Sequence, residues 1–511
     1  MTTVVTSIGL RGLEGYKVNV EVQIIPGRES VSLVGLPDAS VKESKDRVMA
    51  TLYANNCSFP GKKIIINLSP SEQKKNIPIF DLAMAIGLMK EMHYIQREIP
   101  ENTAFLGALS LTGEIKSVKG MLPAILAAKR QNIKILYLPF IEDLPFANLE
   151  GIDLRFVHSL DDVVQSLSGK AKSMFQASTK NLQKSPPQNT QDEKDFKYII
   201  GHQRAKRALE IAAAGAHNVL LIGPPGSGKS LLSESLPSIL PPLTKDSQFD
   251  VMSIYQLAEV SQLNPTQAPF RSPHHSSSSV SLIGGSSNPK PGEVSLAHHG
   301  VLFLDEMAEF PRRSLDMLRQ PIETGKVTIS RAATTVIYPS RFILIGAMNP
   351  CPCGYLGDRS HYCTCTPKQI NAYQNRISGP ILDRIDIILE LESVPLQRDL
   401  QEKNESSQVI RRRVIEARNR QHKRYQGEFL NSIAENEMFR IGKSLQYEQK
   451  QLIQKWSASC QWSSRVQMKI LRLARTISDL SGDESITNEA LWEAMSLRRT
   501  KAVSSKVLGA R

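Results

Sequence analysis

The sequence predicts an α/β protein in three parts: an N-terminal α+β domain, an α/β sandwich on a parallel sheet, and a helical C-terminal region. Three observations carry this. Short apolar strands alternate with helical segments from about residue 203 onward. A glycine loop, Gly223 to Ser230, stands between one such strand and one such helix. After about Ser407 the apolar period becomes helical throughout. A chain of 511 residues is too long for one core, so two to four domains are expected.

Within residues 1–168, Lys17 to Ile25 alternates as a strand, Lys62 to Leu68 is apolar and β-branched, and Asp81 to Met92 has helical periodicity. Residues 169–194 turn polar, with almost nothing to bury, and read as a flexible linker. The α/β core follows over 195–400. Gln203 to Ala214 is a helix, Asn218 to Ile222 a buried strand, and Ser230 to Leu240 the helix after the glycine loop. Further strands are expected at Gly300 to Leu304, Val327 to Tyr338 with a turn inside, Phe342 to Ala347 and Ile385 to Leu391. Residues 401–511 form a helical lid and a basic tail, with Ile410, Val414 and Ala417 on one apolar face.

The glycine loop Gly223, Pro224, Pro225, Gly226, Ser227, Gly228, Lys229, Ser230 fits the phosphate-loop pattern, with the strand before and the helix after that the pattern requires. Such a loop turns backbone N–H groups toward phosphate oxygens at a helix N-terminus. Lys229 is expected on the β- and γ-phosphates of ATP, and Ser230 on Mg²⁺. Val301 to Leu304 is a buried strand ending in Asp305 and Glu306. Ligands of α/β sheets bind at that end, so Asp305 is expected to hold Mg²⁺ through water and Glu306 to polarise the attacking water. Asn349 could orient that water. Arg384, between a helix and a strand, could reach a neighbouring subunit's phosphate, or pair with Asp383 or Asp386. Arg465 could contact phosphate from the lid, or be a solvated surface arginine.

Cys351, Cys353, Cys363 and Cys365 lie within fifteen residues. In a reducing compartment that cluster favours Zn²⁺ over disulfides, with His361 as a possible substitute ligand; four reduced thiols in a tight loop are the alternative. The N-terminus lacks a basic segment followed by an apolar core, and no run approaches eighteen apolar residues, so neither a signal peptide nor a membrane span is expected, and the chain is placed in the cytoplasm. A net charge of +13 suits a polyanion such as DNA. Lys290, Lys326 and Arg331 are candidate phosphate contacts, with ordinary surface charge as the alternative. Arg411, Arg412, Arg413, Arg418, Arg420, Lys423 and Arg424 form a second basic stretch, or else a solvated helix face. At 6% aromatics no stacking platform stands out, so binding would be sequence-tolerant and salt-sensitive.

Longer motifs carry a resemblance. Pro269-Phe-Arg-Ser-Pro-His-His-Ser276, Ile283-Gly-Gly285, Lys290-Pro-Gly-Glu293 through Asp305-Glu306, and Ala347-Met-Asn-Pro-Cys-Pro-Cys-Gly354 resemble the magnesium-chelatase-like AAA+ proteins of the ComM (YifB) family. Val34-Gly-Leu-Pro-Asp-Ala-Ser-Val-Lys-Glu-Ser44 and the run Val466 to Leu480 do so too. The resemblance covers nearly the whole chain. It implies an ATPase ring, usually hexameric, that drives branch migration of single-stranded, branched or three-stranded DNA joints in natural transformation and homologous recombination, with recombinase or loader proteins as partners. Arg384 matches the family's arginine finger, Asn349 its first sensor and Arg465 its second. Hairpins within Arg271 to Pro291 and Lys326 to Tyr338 would line the pore. The alternative is a chelatase-type or chaperone-like remodeller of a protein partner. Leu111 to Arg130 resembles the proteolytic domain of Lon. The family's serine position falls on Ile79 and its lysine position on Ala124, which supply neither nucleophile nor base, so this domain is expected to be degenerate and without protease activity.

Overall fold

The computed structural model describes residues 2–75, 77–141, 149–169, 194–260, 266–286, 289–331, 334–358, 361–392, 404–427, 429–434, 445–460 and 462–498. Nearly all of the expected linker lies outside them. The chain divides into two compact units, Met1–Pro187 with Met252–Gln262, and Gln188–Val251 with Leu263–Arg511.

The main sheet of the first unit holds seven strands: β1 (Thr3–Arg11), β2 (Glu14–Pro26), β3 (Ser30–Val34), β4 (Lys62–Ser69), β5 (Thr103–Phe105), β6 (Ile135–Leu138) and β7 (Asp153–Phe156). Their order is β3-β4-β2-β1-β5-β6-β7. The β1–β2 and β2–β4 pairs are antiparallel and the others parallel. In β2 the alternate residues Val18, Val20 and Val22 have no exposed surface, as the period-two pattern requires. The helix Asp81–Glu91 is buried nearly all round, which explains its unbroken apolar run. Asp81 itself has no exposed surface. It accepts from Arg47 Nε at 2.9 Å and Leu109 N–H at 3.2 Å, so the buried carboxylate is paired. Ile79 and Ala124 are fully buried apolar side chains.

The core of the second unit is a five-stranded parallel sheet. Its strands are β8 (Val219–Ile222), β9 (Phe270–Arg271), β10 (Val301–Leu304), β13 (Ile343–Met348) and β14 (Ile387–Glu390). A hairpin of β11 (Lys326–Arg331) and β12 (Thr334–Pro339) intervenes in sequence. The sheet order is β9-β10-β13-β8-β14, so the first strand in sequence lies between the last two. Central strands buried on both faces read as continuous apolar runs, which is why Val-Leu-Leu and Val-Leu-Phe-Leu were legible.

The helix after the glycine loop is shorter than expected. It spans Lys229–Ser235 and tightens into a 3₁₀ turn at Leu236–Ile239, where Pro237 removes a helical donor. The C-terminal region comprises helices at Ser407–Tyr425, Tyr447–Cys460, Ser464–Ser481 and Asn488–Ser496. Its helical pattern is interrupted after Gln426, which is left-handed at φ 51° and ends the first of them. Ile410, Val414 and Ala417 are buried together with Leu209, Leu473 and Leu491. Among the described residues no helix is long and apolar enough to cross a membrane.

Candidate functional site

The carboxyl ends of three adjacent strands bring Lys229, Ser230, Asp305, Glu306 and Asn349 together. The phosphate loop leaves β8, Asp305 and Glu306 leave β10, and Asn349 leaves β13. Gly226 and Gly228 both sit at φ 75°, a left-handed geometry that glycine adopts freely. A Cβ on Gly226 would meet nothing, so the loop rim is open to a ligand's approach. Lys229 Nζ donates to the carbonyls of Gly223 and Pro224, each at 2.8 Å, and lies 3.3 Å from Asn349 Oδ1. Burial lowers its pKa below the ordinary lysine range, and the charge of Asp305 opposes the shift. Ser230 Oγ donates to Asp305 Oδ2 at 3.0 Å, and Asp305 Oδ1 accepts the Glu306 N–H at 2.9 Å. A hydroxyl and a carboxylate at this separation fit a hydrated Mg²⁺ beside phosphate. Glu306 is left-handed at φ 48°, a strained backbone for a non-glycine of the kind that collects at functional positions.

Sequence reading missed one partner of this cluster. His275 Nδ1 lies 3.2 Å from Glu306 Oε2. The signal was present in the doubled histidine of Pro273-His-His-Ser276, but nothing in the spacing says which acid it meets.

Arg384 is not brought to this cluster. It precedes β14, at the amino end of the sheet, whereas the phosphate loop leaves the carboxyl end of the neighbouring β8. Four strand residues separate the two ends, or about 13 Å at strand rise. Its guanidinium donates to Glu323 Oε2 and to the Pro380 carbonyl, each at 2.7 Å, and its Nε is buried without a partner. The partner is thus neither Asp383 nor Asp386. Asp386 instead pairs with Lys469 at 2.8 Å. Arg465 stands exposed in the first turn of Ser464–Ser481, and among the described residues no hydrogen bond or ion pair ties it to the phosphate loop.

The four cysteines converge. Cys351 Sγ is 3.3 Å from Cys353 Sγ and 3.7 Å from Cys363 Sγ, Cys353 and Cys363 are 3.5 Å apart, and all four sulfurs lie within 4.8 Å of one another. A tetrahedron with Zn–S bonds of about 2.3 Å has edges of about 3.8 Å, so the set fits zinc. The Cys353 thiol is lowered to about 6, chiefly because the Tyr355 backbone N–H donates to it. His361 does not join the set: its Nδ1 faces Asp358 Oδ2 at 3.1 Å and its ring stacks on Tyr355.

The two inserted hairpins meet. Gly284–Gly285 pairs with Lys290–Pro291, and Tyr338 of β12 donates to the Pro289 carbonyl at 2.8 Å. Lys290 and Lys326 are exposed; Arg331 ends β11 opposite Thr334, and its side chain lies outside the described residues. The second basic stretch is corrected. Arg411 donates to the Ser238 carbonyl, Arg413 pairs with Glu210 and Glu405, Arg418 donates to Ala213, Arg420 to Asp479, and Arg424 pairs with the Asp479 carboxylate. Three of these five arginines fasten the helix to the α/β core and the others to the lid, leaving Arg412 and Lys423 exposed.

Family models match in three consecutive stretches: magnesium chelatase subunit ChlI over residues 195–398, a ChlI-subunit model over 20–142, and the ChlI C-terminal model over 404–498. The chain is 38% identical over 506 residues to competence protein ComM of Haemophilus influenzae, covering 97% of each. The chain belongs to the ComM/YifB family of magnesium-chelatase-like AAA+ proteins. YifB of Salmonella typhimurium is 37% identical over 492 residues, 95% of each chain. Lon protease of Treponema pallidum is 26% identical over 182 residues, 33% of this chain and 20% of that one. The fold agrees with ComM/YifB membership: a Lon-like α+β unit, then a parallel-sheet core with a helical lid.

Proposed function

We propose that this chain is an ATP-hydrolysing motor that assembles as a ring, usually hexameric in this family, and drives branch migration of DNA joints in natural transformation and homologous recombination. The observation that carries the ATPase is the cluster Lys229–Asn349 and Ser230–Asp305 with Glu306 beside it. The backbone N–H groups of Gly226 to Ser230 hold phosphate, and Lys229 exchanges its two carbonyl partners for phosphate oxygens. Ser230 and Asp305 hold the Mg²⁺, which supplies charge neutralisation on the phosphates. Glu306 takes the proton of the attacking water and Asn349 orients that water. Arg384, at the far end of the sheet, serves the phosphate of a neighbouring subunit, and Arg465 serves the chain's own.

The four thiols hold Zn²⁺ as a structural clip with no open position, and Lys290, Lys326 and Arg331 follow the DNA backbone. Ile79 and Ala124 leave no route to serine–lysine hydrolysis in the Lon-like unit. The relative ComM's name as a competence protein and the net charge of +13 support DNA over a protein substrate.

The test is ATPase activity with and without forked or three-stranded DNA, with displacement of a labelled strand followed in parallel. Lys229→Ala should abolish nucleotide binding, and Glu306→Gln should bind without turnover; normal turnover in either refutes the site. Arg384→Ala subunits mixed with Lys229→Ala subunits should recover some hydrolysis. Stimulation by a protein instead of DNA, without strand displacement, would make the chain a chelatase-type or chaperone-like remodeller.

A further inference from the structure

The cysteine loop and the phosphate loop touch at two points. At its root stands Asn349, two residues before Cys351, whose Oδ1 is 3.3 Å from Lys229 Nζ. Inside it stands Gly354, next to Cys353, at φ 86°. A Cβ built on Gly354 would lie 2.7 Å from Pro225 Cδ and 2.9 Å from Pro225 Cγ, so its backbone packs directly on the proline ring of the phosphate loop. Several contacts hold the described part of the loop, among them His361 against Asp358 and Tyr355. Gly354 N–H donates to the Cys351 carbonyl at 3.0 Å, Cys353 N–H points at Cys365 Sγ at 3.4 Å, and Gln374 donates to the Pro350 carbonyl at 3.1 Å. Cys351 is fully buried, whereas the other three thiols are half-buried. The four sulfurs thus join the two halves of the loop, alongside the His361 contacts.

We infer that metal occupancy of the four-cysteine clip sets the affinity of the phosphate loop for nucleotide, by fixing Gly354 against Pro225 and Asn349 against Lys229. This rests on the reading of Lys229 and its loop as the ATP site. Four thiolates drawn together without metal repel one another, and four neutral thiols lack the bonds to hold the loop. Metal loss releases the cysteine-bearing stretches 351–358 and 361–365, and the phosphate loop loses two neighbours at once. The ion acts at a distance from the phosphates and takes no part in hydrolysis. Zn²⁺ is the ion that four thiolates at these separations select.

The experiment uses the full chain, purified under reducing conditions without chelator. Metal content is measured first, and one Zn²⁺ per chain is expected. The dissociation constant of a fluorescent ATP analogue is then read before chelation, after chelation, and after adding back Zn²⁺ alone. Expected is a rise on the order of ten-fold after chelation, the worth of one charged hydrogen bond to phosphate, fully reversed by Zn²⁺. Cys363→Ser with Cys365→Ser should reproduce the metal-free affinity, although neither residue touches the phosphate loop. Amide exchange separates a local effect from unfolding: protection should fall at 223–230 and 349–365 and hold at Ile410–Ala417. A metal-free chain that binds nucleotide as tightly as the loaded one overturns the coupling. So does absence of bound zinc, or loss of protection across the whole unit. If Lys229→Ala binds nucleotide normally, the ATP-site reading fails instead, and the two failures are distinguishable.

Discussion

Lys469→Met removes one partner of a buried ion pair between the α/β core and the lid. Asp386 has only 10% of its side chain exposed and Lys469 only 15%. The carboxylate accepts from Lys469 at 2.8 Å and from the Asn218 N–H at 3.0 Å, and faces His217 at 3.6 Å. Burial alone would push the Asp386 carboxyl up; the Lys469 ammonium and His217 overcome it and hold the pKa well below the usual carboxylate range. Lys469 pays the opposite way, with burial lowering its pKa against the pull of Asp386. Arg472 and Arg498 stand near enough to feel the same carboxylate.

Leaving a buried charge without its partner costs about 3–5 kcal/mol, a large share of the roughly 5–15 kcal/mol that holds a domain together. At about 2 °C per kcal/mol for a unit of this size, the melting temperature should fall by roughly 6–10 °C. The sign with pH follows from linkage. A depressed folded pKa contributes stability above the unfolded value of about 3.9, lost as pH falls through that value toward the folded one. The gap between wild type and Lys469→Met should therefore be widest near neutrality and close below about pH 4. Urea unfolding across pH, with Asp386→Asn and the double variant completing a cycle, measures it. A difference within about 0.5 kcal/mol at pH 7, independent of pH, would refute the argument. Loss of ATPase without loss of stability would instead give the pair a role in transmitting motion, since Lys469 lies one helical turn beyond Arg465 and Asp386 two residues beyond Arg384.

Glu323→Gln leaves Arg384 without its carboxylate partner, and ring ATPase should rise by no more than about five-fold, the limit for a solvent-exposed pair; an unchanged rate, or the same rise in an Arg384→Ala background, would remove Glu323 as a competitor for the finger. His275→Ala should lower kcat about two- to five-fold with KM unchanged, because the pair with Glu306 is half-exposed; a raised KM at constant kcat would place His275 in nucleotide binding. Gly354→Ala puts a Cβ into the Pro225 ring and forces an L residue to φ 86°, two penalties of about 1–3 and 1–2 kcal/mol; nucleotide affinity should drop, and wild-type affinity with full zinc would show that the loop relaxes freely.

The sequence made the carboxyl edge of the sheet legible because each element there announces itself. A glycine loop needs a strand before it and a helix after it, and two acids after four apolar residues can only end a buried strand. The hairpin at Val327 to Tyr338 was equally open, since two apolar stretches flank a turn there. Contacts across the fold were not. Nothing local says that Arg384 meets Glu323, sixty-one residues earlier in the chain, or that the second histidine of a pair meets Glu306. Cysteine spacing indicated a shared site, but His361 was excluded only by its contact with Asp358.

Net charge alone does not say which basic residues are free to meet a polyanion. The helix Ser407–Tyr425 concentrates more positive charge than any other described element, yet five of its arginines satisfy carbonyls and carboxylates of the α/β core and the lid. A buried arginine has five donors to place, and helix ends and acids from other elements are the nearest acceptors. Arg418 shows the cost: burial pulls its pKa down to about 10 while it donates to the Ala213 carbonyl. Arg413 and Arg424 are already neutralised by carboxylates, and the donors of Arg411, Arg418 and Arg420 are turned to carbonyls rather than to a ligand. On the proposed function the salt dependence of DNA binding therefore belongs to the hairpins. Removing Lys290 and Lys326 together should lower the slope of log affinity against log salt by about two, while Arg413→Gln should leave the slope intact and destabilise the lid. A slope that follows Arg413 rather than the hairpin lysines would return the DNA path to the helix.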